Sequence, residues 1–503
     1  MGSSSDVILS AVDDKKPFQP LNQEDVRTYL HKSVDFISDY YTNVESMPVL
    51  PDVQPGYLQH EFMSSPPTYP SPFHVTMKEL RDSIVPAGMT HWASPNFFAF
   101  FPATNSAAAI AGDLIASAMN TVGFTWQAAP AATELEALTL DWLAQLLGLP
   151  ATFMNRTVAG ARGTGGAVIL GTTSEAMLVT IVAARDAALR RSSSIGVSGL
   201  PRLVVYAADQ THSTFFKACR LSGFDPANIR SIRAGPETDY GIDPTNASCS
   251  RPCRPTSRLA SCQRTSVPRL PTPYVDPVGA VADVASLFGA WVHVDAAYAG
   301  SACICPEFRH HLDATPCMGT NPEYFKNDAT ESGDVADLKD MQVGVGRRFR
   351  ALKLWMVMHT YGTCKLQQHI PSDVAMAKMF ECLVGGDPRF EVVVPRNFAM
   401  VCFRTKASGA MTEEDADEAN RVLMKNVNKT GKAYLSHTVV DDRFVLRFAV
   451  GSSLQEERHV RSAWELIKKT TGEIILSYLI LPLSLLIKHI LLLWESSHGP
   501  AQA

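Results

Sequence analysis

Between about residues 165 and 300, short apolar runs alternate with segments of helical character, and no other feature restricts the fold as much. Such alternation argues for a mostly parallel sheet with helices on both faces. One run, Trp291-Val292-His293-Val294, reads as a buried strand opening after Gly289. Asp295 stands where that strand ends, and ligands of open α/β sheets sit at the carboxyl ends of the strands. A carboxylate buried there is costly without a partner. A protonated ring nitrogen on a bound molecule would serve.

The 503 residues are 46% hydrophobic and 19% charged, enough for an ample core and two or three structural domains. A net charge of -5 with no basic stripe gives no reason to look for a nucleic-acid partner. Ten cysteines lack framework spacing and no secretory apolar region opens the chain, so reduced thiols in the cytoplasm are expected. Cys303-Ile304-Cys305 lacks the spacing and the second pair of a zinc site, and no metal is expected.

Residues 1–17 are polar and read as disordered. From Asn22 a helix is predicted, capped by that residue, with Val26, Leu30, Val34, Ile37 and Tyr41 on one face. Proline-rich residues 46–75 read as an extended arm. His91 to Pro102 packs six rings, counting His91, into twelve positions. Most read as core, but an aromatic ligand also needs an apolar slot with edge-on partners. Thr133-Glu134-Leu135-Glu136 has the pattern of a capping box opening a helix. Thr172-Thr173-Ser174-Glu175 repeats it behind a glycine-rich run. Taken alone it is a helix start; it is also what a phosphate requires, with exposed N–H groups and room for close approach. His212, alone, reads as an ordinary structural histidine.

The stretch His293 to His310 (HVDAAYAGSACICPEFRH), with GTTSEA at 171–176 and Thr211-His212, resembles the plant aromatic L-amino acid decarboxylases, a pyridoxal-phosphate-dependent group that includes tryptophan and tyrosine/DOPA decarboxylases. The resemblance runs from about Phe18 to Thr471. It implies the fold-type-I, transferase-like α/β architecture: an N-terminal helical arm at 18–105 wrapping a second subunit, a large cofactor domain at 106–360, and a small α+β domain at 361–471. It implies pyridoxal 5'-phosphate as cofactor and a homodimer. Thr172 and Thr173 then bind the phosphate, His212 stacks on the ring, Ala297 lies in the cofactor site, and Asp295 pairs with the ring nitrogen. Trp92, Phe100, Phe101 and Pro102 line the substrate slot, with Gly346 facing the substrate ring. Glycine at that position leaves space for a bicyclic ring, which favours tryptophan over tyrosine or DOPA. Tyr324, in Asn321-Pro322-Glu323-Tyr324, matches the tyrosine that protonates the α-carbon once CO2 has left; phenylalanine there goes with aldehyde formation.

Two breaks interrupt the resemblance. Residues 246–275 hold five Arg, five Pro and three Cys and show neither helical nor strand periodicity, where the family has a helix, a buried strand and a threonine-rich turn. A reading frame shifted and then restored, or an error in the assigned gene structure, accounts for this better than a disordered insert. After Ala314 the family has a further strand and a turn carrying a His-Lys pair, whose lysine holds the cofactor covalently. Here Tyr324 follows Asp295 after 29 residues, about half the family interval, and the pair is missing. Lys326 belongs to the mobile-loop motif, and His31-Lys32 to the N-terminal helix. A lost exon is the economical account.

Residues 472–503 fall outside the resemblance. Their apolar run, 474–494, suggests a membrane anchor, but Pro482, Lys488 and His489 interrupt it, so a membrane partner is not expected. The expected function is decarboxylation of an aromatic L-amino acid to its amine and CO2. The missing lysine keeps open a second class, a non-catalytic homologue that only dimerises or misfolds. A membrane-tethered protein ranks third.

Overall fold

The computed structural model describes residues 19–62, 65–101, 103–155, 165–191, 200, 203–209, 211–235, 238, 241–242, 258–265, 275–313, 338–407 and 411–476. The chain divides into two compact units, residues 1–94 and 95–503. The first is built on α1 (Gln23–Asn43), whose N-cap Asn22 accepts from the amides of Glu24 and Asp25 as predicted. No residue of α1 is buried, and its apolar face of Val26, Leu30 and Val34 is exposed. His91 is buried, with Nδ1 3.1 Å from the Tyr40 hydroxyl.

In the second unit two helices, α2 (Ala107–Met119) and α3 (Pro130–Leu146), precede the large sheet. Helix α3 starts a turn before the predicted box because Pro130 fits the first helical turn, whose free N–H it lacks. Thr133 is left inside the helix, bonding back to the Ala129 carbonyl. Four strands follow, β1 (Leu203–Ala208), β2 (Ile229–Ile232), β3 (Arg258–Thr265) and β4 (Val292–Asp295), in the order β2-β1-β3-β4 and all parallel. Helices α4 (Thr173–Arg191), α5 (Ser213–Leu221) and α6 (Val278–Leu287) interleave with them. One face of β1, through Leu203, Val205 and Ala207, packs on α4 and α5; the other, through Val204, Tyr206 and Ala208, packs on α6. Burial on both faces explains why β1 is an unbroken apolar run.

Strand β3 falls within 246–275, where the sequence shows no strand periodicity. Arg258–Thr265 lies between β1 and β4, with Leu203 opposite Arg258 and Thr265 opposite Asp295. Its ladder is made by backbone groups, and two flanking strands can hold a segment whose side chains show no strand pattern. The remainder of that interval lies outside the described residues.

Helix α7 (Ala351–Gly385) is broken at Gly362, whose φ of 61° and ψ of 171° leave the helical region. Beyond it, β5 (Phe390–Val392), β6 (Met400–Thr405), β7 (Ser436–Val440) and β8 (Arg443–Ala449) form an antiparallel sheet in the order β5-β6-β8-β7. Phe403, Leu446 and Phe448 on one face pack under α7, α8 (Glu413–Lys429) and a last helix, α9, at 457–476. Met400, Cys402, Val445 and Ala449 occupy the other face, with Phe101 and Tyr298 against them. Helix α9 runs past the predicted boundary at 471, and Ile474 joins the core. The rest of 474–494 lies outside the described residues. Among those described, no helix is long and apolar enough to cross a membrane.

Candidate active site

Since β1 and β4 are parallel, their carboxyl ends open on one edge of the sheet, and the strand order reverses between β1 and β3, where ligands of such sheets collect. The turn after β1 leads to His212, and β4 ends at Asp295. Asp295 is buried, and its Oδ1 accepts from the Ala297 amide at 3.1 Å. Burial raises its pKa above the usual carboxylate value; the Ala297 hydrogen bond and the nearby His212 work against that rise.

His212 caps α5, with Nδ1 accepting from the Thr214 amide at 3.2 Å, so a neutral ring carries its proton on Nε2. Thr214 Oγ1 lies 2.9 Å from that Nδ1 and 3.3 Å from the Ser174 hydroxyl, which joins the starts of α4 and α5. Thr172 caps α4, its Oγ1 accepting from the Glu175 amide at 3.1 Å. The capping box is only half formed, since Glu175 reaches back to the Gly171 amide instead. Thr172, Thr173, His212 and Ala297 are all exposed around the buried carboxylate. The structure thus brings His212, Asp295, Ala297 and the Thr172–Thr173 helix start together.

Phe101 reaches the same neighbourhood through Tyr298, three residues beyond Asp295, with ring centroids 4.5 Å apart. Phe100 turns elsewhere, edge-on to Tyr434 at 5.8 Å. Gly346 faces open space, with no atom within 4 Å of where a β-carbon would stand. Trp92 belongs to the other unit and is exposed. Pro102, Tyr324 and Lys326 lie outside the described residues.

Glu136 had only a place in the capping box in the sequence reading, which missed its role. It is buried in α3, accepts from the Ile169 amide at 2.7 Å and forms an ion pair with buried Arg347. It ties the lead into α4 to the loop bearing Gly346. Its signal was position: Glu136, Leu140 and Ala144 follow at four-residue spacing, all buried. Gly165, in the glycine-rich run, is needed for a separate reason. A β-carbon there would overlap the Thr152 carbonyl.

The described residues suit pyridoxal phosphate in three respects. A buried carboxyl with a raised pKa gains a counter-charge from a protonated pyridine nitrogen. The α4 start offers amides without intrahelical acceptors, and exposed His212 offers a flat ring. An α/β sheet carrying these groups at one end defines a protein built to hold a phosphorylated, ring-bearing cofactor.

The comparisons place it more closely. The pyridoxal-dependent decarboxylase conserved domain matches residues 55–318 and 313–406. The chain is 70% identical over 497 residues to tryptophan decarboxylase 1 of Oryza sativa subsp. japonica, covering 91% of this chain and 95% of the relative. It is 45% identical over 496 residues to the aromatic-L-amino-acid decarboxylase of Catharanthus roseus, covering 91% and 96%. The crystal structure of Oryza sativa TDC with PLP and tryptamine superposes with a TM-score of 0.84 at 69% identity, covering 91% of this chain and all of that one. The chain belongs to the pyridoxal-dependent decarboxylase family, whose members are carboxy-lyases.

Proposed function

We propose that the chain is an aromatic L-amino acid decarboxylase by descent, acting on tryptophan in preference to tyrosine or DOPA, whose sequence as it stands lacks the lysine that anchors the cofactor. The observation that carries the reading is the convergence of Asp295, His212 and the α4 start at one sheet edge. When bound, pyridoxal phosphate supplies an electron-accepting ring. Asp295 would hold the proton on its ring nitrogen, Thr172 and Thr173 would bind its phosphate, His212 would stack on its ring, and Ala297 would line the cofactor site. Phe101 and Pro102 would receive the aromatic side chain and exclude water from it. Tyr324, by the family resemblance, would supply the proton to the α-carbon once CO2 has left. The open space at Gly346 and the 70% identity to a tryptophan decarboxylase support tryptophan as the preferred substrate.

The loss of the lysine segment is supported from two sides. The family domain matches in two stretches that meet at 313–318, where the sequence departs from the resemblance. The alignment to the rice relative also runs over 497 positions while taking in 91% of a 503-residue chain, so part of the relative faces nothing here. The exposed apolar face of α1 supports an arm that docks on a second copy, and the absence of a disulfide among the described cysteines fits a cytoplasmic location.

The test is to purify the chain with pyridoxal phosphate. No absorbance of a lysine-bound cofactor and almost no turnover of tryptophan are expected, and ordinary decarboxylase activity would overturn the lysine reading. Sequencing the transcript across 245–320 separates the two function classes. A recovered His-Lys segment means a damaged record of an active enzyme; a confirmed gap means a non-catalytic homologue.

A further inference from the structure

Phe100 has a φ of 51°, in the left-handed region that a bulky side chain adopts only when its surroundings impose it. Both its backbone groups are held by the C-terminal sheet. Its amide donates to Ser436 Oγ on β7 at 3.0 Å, and its carbonyl accepts from Arg447 Nη2 on β8 at 3.3 Å. Arg447 is fully buried between Leu446 and Phe448 of β8, a costly place for a guanidinium. Its Nε and Nη2 rest on Met400 Sδ at 3.3 and 3.1 Å, its Nη1 has no hydrogen-bond partner among the described residues, and its Cζ stands 4.9 Å from the Phe101 ring centre. A guanidinium over a ring is attractive, and this one bonds the carbonyl immediately before that ring.

The consequence is directional. The left-handed turn at Phe100 separates two consecutive rings, sending Phe100 towards Tyr434 and Phe101 onto Tyr298. Were Phe100 to relax to an extended conformation, the Phe101 ring would be re-aimed. We infer that Arg447 and Ser436 are positioning residues that clamp the strained Phe100 backbone, fix Phe101 in the substrate slot, and so set the preference between an indole and a phenol ring. The inference rests on the proposed placement of Phe101 in that slot.

The test uses the full chain with pyridoxal phosphate supplied, and calorimetry of tryptamine and tyramine, read as the ratio of their dissociation constants. General loosening weakens both amines together and leaves the ratio still. Ser436→Ala and Arg447→Met should each move it by about fivefold or more towards equality. Arg447→Lys, which keeps the cation without the fork, should recover part of the change. Where Arg447→Met fails to fold, Ser436→Ala carries the test alone. A control, Phe101→Leu, separates the two ways of failing. If it moves the ratio while Ser436→Ala and Arg447→Met leave it within about twofold, the clamp is overturned and the slot stands. If Phe101→Leu leaves the ratio unchanged, or the parent binds neither amine, the slot reading is overturned and the clamp with it.

Discussion

The two sheets of the second unit solve opposite problems. The antiparallel C-terminal sheet closes a core: Phe380 stacks on Phe448 at 3.7 Å and meets Phe403 and Trp464 edge-on, all of them buried. The parallel sheet leaves its carboxyl edge open, with one buried carboxylate among exposed threonines and an exposed imidazole. One region turns apolar area into stability, while the other holds polar groups in place for a molecule yet to arrive. Damage to the first should therefore cost stability with cofactor affinity largely spared, and damage to the second the reverse.

The strongest test of that contrast is Phe380→Ala. A cavity in the closed core should lower stability by about 3–5 kcal/mol in denaturant titration, with pyridoxal phosphate affinity nearly unchanged. A parallel loss of affinity would show that the two regions are one cooperative structure. Arg347→Met should cost about 3 kcal/mol, because Glu136 is left charged and buried. It sharpens the comparison, since Glu136 also holds the Ile169 amide, and cofactor affinity should fall as well.

Asp295→Asn should do the opposite. Burial disfavours this carboxylate, so the cofactor-free chain should unfold no more readily, while affinity falls about tenfold or more by fluorescence titration. Thr172→Ala removes the α4 cap and should cost about 1 kcal/mol, with weaker phosphate binding.

The last test reads a slope. Burial raises Asp373, on α7, to about 6, and His369 opposes the rise. The folded chain therefore keeps a proton that the unfolded chain releases, so stability should fall as pH rises from about 4 to about 6. Asp373→Asn should flatten that slope in urea titrations, and an unchanged slope would place its origin elsewhere.

Much of this contrast was legible in the sequence. Strands β6 and β8 are legible as apolar runs, being buried on both faces, and helix α8 from its helical periodicity. Strand β4 and its terminal Asp295 were readable for a related reason, an apolar run ending in a charge. Strand β3 was not, since its side chains show no pattern and neighbouring backbones hold it. Arg447 was visible as a lone charge in FVLRFAV, but nothing local says which carbonyl it meets.

The sequence by itself determined where the chain can bury apolar surface, and with it the order of strands and helices and the chemical types at the site. Tertiary structure alone decided which distant groups meet. Ser174 and Thr214 are 40 residues apart, and Arg447 and Phe100 are 347 apart. Periodicity is a local property set by backbone geometry. The meeting of Ser174 with Thr214, or of Arg447 with Phe100, depends on strand order and on which face each strand presents, and these follow from the packing of the whole sheet.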